Sequence, residues 1–305
     1  MAKNMYQKRE ERKQKKLNDQ ENGFPKVGIN WYPGHMAKTK REIKEVLPLI
    51  DVIYEVVDAR MPKSSKLKEV DDIIQNKKKI MIMTKYDLCD EKETKKFVTY
   101  YENIGYKVIC TSLLNSQNVK DIILVTKDIL KEENIKRKNK GLKEKTIKAL
   151  VIGAPNVGKS TLINRMSLSK KTVVGNKPGV TKKLNFINVS KDILLLDTPG
   201  ILWPKMTDSF EAHVLASLSS IKEEILDKDD IALFILKTMI GLYPSAILKR
   251  YGINSISDIL DTYEVIGKKR GALLKGNQID YEKVSSLIIR DLQNGYFGKI
   301  TLDRL

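Results

Sequence analysis

Residues 149–160 read ALVIGAPNVGKS. Four apolar residues run directly into G-x-x-x-x-G-K-S, which predicts a buried strand, a tight loop and then a helix. Gly153 and Gly158 let the backbone curl until successive N–H groups face one anion, and the helix adds the positive end of its dipole. In such a cradle Asn156, Val157, Gly158, Lys159, Ser160 and Thr161 surround the phosphates of a nucleotide. Lys159 reaches the β- and γ-phosphates, and the Ser160 hydroxyl ligates Mg2+. A chance glycine-rich turn would not have both the strand before it and the helical pattern behind it.

A second element lies downstream. DILLLDTPG (192–200) delivers Asp197 to the end of another apolar strand, where it can hold Mg2+ through water. Gly200 can offer its backbone N–H to the γ-phosphate. Between the two lies KPGVTKK, where Thr181 either closes over the γ-phosphate and completes the Mg2+ shell or is an ordinary loop threonine.

Base choice is assigned to a third strand end. MIMTKYD places Thr84, Lys85, Tyr86 and Asp87 after the apolar IMIM run. The Lys85 stem can lie along a purine ring. The Asp87 carboxylate can accept from the two N–H donors of guanine, a pair that adenine lacks. Thr111 and Ser112, following KVIC, can supply a backbone contact to the guanine oxygen.

The order of these pieces is unusual. In ordinary GTPases the phosphate loop comes first and the base-reading motif follows. Here TKYD and TS precede GAPNVGKS, and DTPG comes last. A circular permutation preserves the sheet when the original ends lie close together and a linker can join them. The polar stretch KEENIKRKNKGLKEK (131–145) is read as that linker.

The rest of the chain fits an α/β sheet. Apolar, β-rich runs recur at Val52–Val57, Ile80–Met83, Lys107–Cys110, Ala149–Ile152, Leu184–Val189 and Ile193–Leu196. Helical spacing fills 66–75, 91–103 and 118–130, and a helix from about Lys38 to Leu47 meets Pro48. This alternation predicts a mostly parallel sheet covered by helices on both faces. From about 209 the pattern becomes purely helical, with Ser255 and Asp258 resembling a capping box and Gly295 a helix stop. The predicted organisation is a basic extension at 1–26, a nucleotide domain at 27–208 and a small all-helical domain at 209–305.

Composition narrows the setting. The 305 residues carry 56 Lys and Arg against 38 Asp and Glu, a net charge of +18. Residues 1–26 hold 8 basic and 4 acidic groups, whereas 211–305 hold 13 of each, so the excess belongs to the extension and the nucleotide domain. From Lys145 to Lys191 there is no acidic residue at all, against ten Lys and Arg. A polyanionic partner is implied. The longest apolar runs, such as 231–236, are far too short to insert into a membrane, and the N-terminus has no apolar signal stretch. Two cysteines, Cys89 and Cys110, make neither a disulfide framework nor a metal set, and they fit a cytoplasmic location.

Residues 30–305 resemble the circularly permuted GTPases of the YlqF type. The resemblance is carried by NWYPGHMAK, VVDARMPKSS, TKYD, GAPNVGKS, PGVTK, DTPG and the helical C-terminal part. It implies GTP and GDP as ligands and a role in maturing the large ribosomal subunit. Such a factor binds precursor particles and their rRNA with GTP bound and leaves after hydrolysis. Two features depart from the pattern: Thr84 stands where Asn is usual, and the extension is longer than the family's usual start.

Hydrolysis needs a group that orients water. Many GTPases place Gln after the DxxG glycine, but here that position is Ile201, which cannot hydrogen-bond to water. The resemblance implies His35, in PGHM, for this task; a histidine beside Trp31 and Tyr32 can equally be a packing residue. Asn156 is, by analogy, a K+ ligand or simply a turn former. His213, the second histidine, reads as structural. Two other readings stay open: a nucleotide-gated RNA-binding scaffold with incidental hydrolysis, and a P-loop NTPase unconnected with ribosomes.

Overall fold

The structure is a computed structural model, and it describes residues 29–30, 41–114, 117–167, 173–174, 186–197, 205–206, 209–220, 227–256 and 258–305. The extension 1–26, His35, Thr181, Gly200 and Ile201 lie outside the described residues, as does the side chain of Asp197.

Nine strands follow in chain order: β1 (Ile29–Asn30), β2 (Val52–Asp58), β3 (Lys78–Thr84), β4 (Lys107–Cys110), β5 (Ile147–Gly153), β6 (Val173–Val174), β7 (Phe186–Ser190), β8 (Ile193–Asp197) and β9 (Lys205–Met206). Seven of them form one sheet in the order β4-β3-β2-β5-β8-β7-β6, with β1 and β9 pairing separately. The five strands from β4 to β8 are mutually parallel, and β7 and β6 add an antiparallel edge. Buried apolar strands such as β2, with every residue inside, are what a sheet covered on both faces requires.

Side chains alternate between two packed layers. Along β3, Ile80 and Ile82 join the larger core, whereas Met81 and Met83 join a smaller cluster with Phe97 and Tyr101. Phe97 and Tyr101 belong to a helix over Glu91–Asn103, and Ile122 on the opposite face to one over Gln117–Ile129. In chain order the helices are α1 (41–46), α2 (Asp71–Ile74), α3 (Glu91–Asn103), α4 (Gln117–Ile129), α5 (Lys131–Asn139), α6 (Lys159–Met166), α7 (Ser209–Ser217), α8 (Lys228–Leu242), α9 (Pro244–Tyr251), α10 (Ile259–Lys269) and α11 (Tyr281–Gln293).

Two local readings are corrected. The stretch 131–145 is not a plain linker, because its first nine residues form α5, with acidic groups in the first turn and basic ones in the last. That charge order complements the helix dipole, although α5 buries no side chain. As expected, α1 stops just before Pro48. That proline sits in the opening of a 3-10 turn over Leu47–Leu49, where a missing N–H costs nothing. The cap of α10 is Asp258 itself, accepting from the N–H groups of Leu260 and Asp261, and not Ser255.

Beyond α7 every named element is helical. Ile231, Phe234, Ile235 and Met239 of α8 are buried together with Val284, Ile288 and Leu292 of α11. The last residues then return to the nucleotide part. Ile300 donates its N–H to the Leu88 carbonyl at 3.0 Å, and Leu302 to the Arg60 carbonyl at 2.7 Å.

Candidate nucleotide site

Parallel strands point their C-terminal ends to one edge of the sheet, and loops carrying function gather there. The phosphate loop leaves β5 at Gly153. A Cβ on this residue would lie 2.4 Å from the Val56 carbonyl oxygen, so β2 and the loop approach as closely as they do only because no side chain intervenes. Gly158 is left-handed, with φ +106°, and caps the N-terminus of α6 without a side chain. Its own missing Cβ would meet the Thr84 hydroxyl at 3.3 Å. The first turn of α6 exposes Ser160 and Thr161 while Lys159 and Val157 are buried. The Lys159 ammonium spans the loop, donating to the carbonyls of Gly153 at 3.0 Å and Ala154 at 2.7 Å.

The TKYD motif meets this loop although more than 70 residues separate them. The Thr84 hydroxyl donates to the Val157 carbonyl, with the Val57 carbonyl at 3.1 Å as its alternative acceptor. Lys85, left-handed at φ 55°, places its ammonium 2.8 Å from the Asn156 carbonyl. Tyr86 is bound through its N–H to the Thr111 carbonyl at 3.2 Å, and Thr111 through its own N–H to Met83 at 2.8 Å. Asp87 is exposed in the 3-10 turn over Tyr86–Leu88, while Ser112 is half-buried. The Thr111 hydroxyl is buried with no hydrogen-bond partner among the described residues. Thus the phosphate loop, TKYD and TS are stitched together by backbone carbonyls at neighbouring strand ends. Asp197 closes β8, whose register sets it beside Val151 of β5, at the same edge.

Some neighbours of the site carried only a faint local signal. Asp58 ends β2 fully buried, and it takes the Arg60 guanidinium at 2.8 Å and the Lys85 ammonium at 2.9 Å. Burial pushes its pKa up, but Arg60 and Lys85 outweigh burial and hold the carboxyl well below the usual carboxylate range. A charge placed in the apolar run VIYEVVD was the visible clue. Asn156 is exposed with φ 57°, and its side-chain amide donates to the Ser219 carbonyl at 2.5 Å, just beyond α7. The phosphate loop therefore touches the start of the helical part directly.

Three residues resolve plainly. His213 is buried, stacked on Phe234 at 4.9 Å between centroids, and its Nδ1 lies 2.7 Å from the Ser209 carbonyl. It is a packing residue. Burial pushes the Cys89 and Cys110 thiols up to about 11 and about 12, which favours the protonated thiol over the thiolate at neutral pH. No single helix among the described residues is long and apolar enough to cross a membrane.

Known proteins share this arrangement. Residues 148–268 match the family described as 50S ribosome-binding GTPase. A Bacillus cereus protein named Ribosome biogenesis GTPase A is 42% identical over 276 residues, spanning 90% of this chain and 93% of that one. The Thermotoga maritima protein of the same name is 30% identical over 90% of this chain and 94% of its own length. A solved GDP-bound structure of T. maritima YlqF superposes with a TM-score of 0.61 at 26% identity, covering 87% of this chain and 99% of that one. By its phosphate loop, its strand-end motifs and this similarity along nearly its whole length, the chain belongs to the ribosome biogenesis GTPase A (YlqF) family, and is a GTP-binding ribosome biogenesis factor that hydrolyses GTP.

Proposed function

We propose that this GTPase acts on precursors of the large ribosomal subunit in the cytoplasm, binding the particle and its rRNA with GTP bound and leaving after hydrolysis. The observation that carries this reading is the contact between Asn156 and Ser219, which joins the phosphate loop to the helical part. Charge supports an RNA partner: the acid-free window 145–191 surrounds the nucleotide loop. Lys and Arg can draw in backbone phosphates whatever the base sequence.

Within the site, Asn156, Val157, Gly158, Lys159, Ser160, Thr161 and Gly200 take the phosphates, and Thr84, Lys85, Tyr86, Asp87, Thr111 and Ser112 take guanine. Ser160, Thr181 and Asp197 supply hard oxygen donors of the kind Mg2+ prefers, and the exposed Ser160 hydroxyl at the head of α6 fits that demand. Bound there, Mg2+ would neutralise charge on the phosphates. His35 orients the attacking water in this reading, because Ile201 has no hydrogen-bonding group. The short pairing of β1 with β9 supports the assignment: it brings Asn30, five residues before His35, beside Lys205, five residues after Gly200. Asn156 is a K+ ligand when its amide turns from Ser219 to the phosphates.

The motif order supports a circular permutation. The strands bearing TKYD and TS precede the phosphate-loop strand in the chain yet lie in the same parallel sheet.

The deciding measurement is GTP turnover with and without purified large subunits. Stimulation supports the assembly switch, and equal rates sink it. His35→Ala is expected to retain GTP binding while abolishing release from the particle. Release at the wild-type rate would favour the second reading, suggested by Ile201, of a nucleotide-gated scaffold whose hydrolysis is incidental. Turnover in K+ against Na+ tests Asn156, and equal rates remove it as a K+ ligand.

A further inference from the structure

The stretch VVDARMPKSS (56–65) contacts no phosphate in any of these assignments, yet it holds a buried charge beside the site that accepts four hydrogen bonds. Asp58 is completely buried. Its Oδ1 accepts from the Arg60 backbone N–H and from Nε, each at 3.0 Å, and its Oδ2 accepts from Nη2 at 2.8 Å and from Lys85 Nζ at 2.9 Å. Four donors fill the hydrogen-bonding capacity of one carboxylate. The Lys85 ammonium is thereby fixed between Asp58 and the phosphate-loop carbonyl of Asn156. That fixes the direction of its stem, the part assigned to the purine.

The other side of Asp58 leads away from the nucleotide. Arg60 Nη1 reaches the carbonyls of Leu292 at 3.3 Å and Gln293 at 3.4 Å, which close the last turn of α11. A guanidinium there meets the negative end of the helix dipole. The Arg60 carbonyl takes the N–H of Leu302, and the next residue, Asp303, takes the N–H groups of Lys63 and Ser64 at 2.7 and 2.8 Å and the Ser64 hydroxyl at 2.5 Å. The base loop is gripped from its far end as well, because Ile300 bonds the Leu88 carbonyl and Leu88 packs against Gly295. The 58–65 stretch is therefore a socket. One wall holds the base-reading lysine, and the other holds the end of α11 and the chain's last residues.

We propose that Asp58 is a positioning residue for Lys85, and that through Arg60 it couples seating of the purine base to seating of the C-terminal segment. The inference rests on the reading that Lys85 lies along the base. The physical reason is economy of acceptors: one carboxylate serves both Lys85 and Arg60, so a shift of either cation changes the bonds left to the other. Coupling between two ligands is reciprocal, so loosening the C-terminal segment must weaken the base.

The test compares GDP with inorganic triphosphate, which has phosphates but no base, on the full chain. Asp303→Asn loosens the C-terminal segment without touching the nucleotide machinery. It is expected to weaken GDP binding about 5- to 20-fold, within the usual range of site-to-site coupling, and to leave triphosphate binding unchanged. In an Asp58→Asn background the same substitution should have less than about a twofold further effect, as for residues in one network. In the unmodified protein, saturating GDP should slow amide exchange at Ile300 and Leu302, and saturating triphosphate should not. This last measurement needs no variant to fold. Equal slowing by both ligands, or by neither, overturns the coupling, as does an equal loss of GDP and triphosphate binding in Asp303→Asn. If the unmodified protein does not prefer GDP to ADP, the guanine assignment itself falls, and the inference with it.

Discussion

Thr84 stands where a longer amide is usual in the TKYD motif, and its hydroxyl nonetheless reaches the Val157 carbonyl of the phosphate loop. Thr84→Val keeps the shape and removes that bond from a fully buried site. It is expected to cost about 1–3 kcal/mol, read from chemical denaturation. Asp58 is worth more. Removing it as Asp58→Ala leaves the Arg60 guanidinium buried and unpaired, and a loss of about 3–5 kcal/mol is expected. The pH dependence follows from the sign of its shift. The folded carboxyl sits below its unfolded value, so its contribution is complete above the unfolded pKa of about 3.9 and is lost as pH falls toward the lower folded value. The difference in stability between the native chain and Asp58→Asn should therefore stay constant from neutral pH to about pH 5 and shrink only in stronger acid. A gap that closed by pH 5 would mean that Asp58 is not held ionised by Arg60 and Lys85.

Helix termini and strand cores behave differently as elements. The inner strands were legible because burial on both faces demands continuous apolar runs: VIYEVVD needed only its last residue added, and even the half-exposed edge strand KVIC is β4 residue for residue. The helix over 91–103 was equally clear, since its apolar residues recur at helical spacing, and the structure adds Asp90 as its cap. α5 was not legible. It buries nothing, so no periodicity announced it, and a nine-residue helix without a packed face is marginal. Its amides are expected to exchange with solvent far sooner than those of β2, measurable by mass spectrometry. At α10 the two candidate caps separate cleanly. Asp258→Ala should lower the melting temperature and Ser255→Ala should not, because only Asp258 bonds the first-turn N–H groups.

At the scale of the whole molecule the C-terminus is structural. Ile300, Thr301, Leu302 and Asp303 are all buried, and they close over the socket at 58–65 and the loop after TKYD. Burying an Ile and a Leu side chain contributes about 1.5–3 kcal/mol each. Ending the chain at Gly298 is thus expected to remove at least about 3–6 kcal/mol, a large share of the 5–15 kcal/mol typical of a domain. Thermal unfolding of the shortened chain would show it as a large drop in the melting temperature. The charge distribution acts at the same scale. If rRNA phosphates are the partner, affinity for the particle should fall steeply between low and physiological salt, as released counterions require.

The sequence alone determined the sheet class, the phosphate loop and the TKYD strand end, because each is written in a few consecutive residues with a local physical reason. Near-continuous apolar runs make buried strands, and glycines at fixed spacing make an anion cradle. It also displayed DARMPKSS without showing what those residues do. Only the tertiary structure decided that Asp58 is shared by Lys85 and Arg60, that Arg60 reaches the end of α11 across 232 residues of chain, and that Asp303 fastens the terminus to Ser64. Those bonds join charges whose separation along the chain has no period and no motif. Burial makes them matter, and burial is a property of the fold rather than of any one segment.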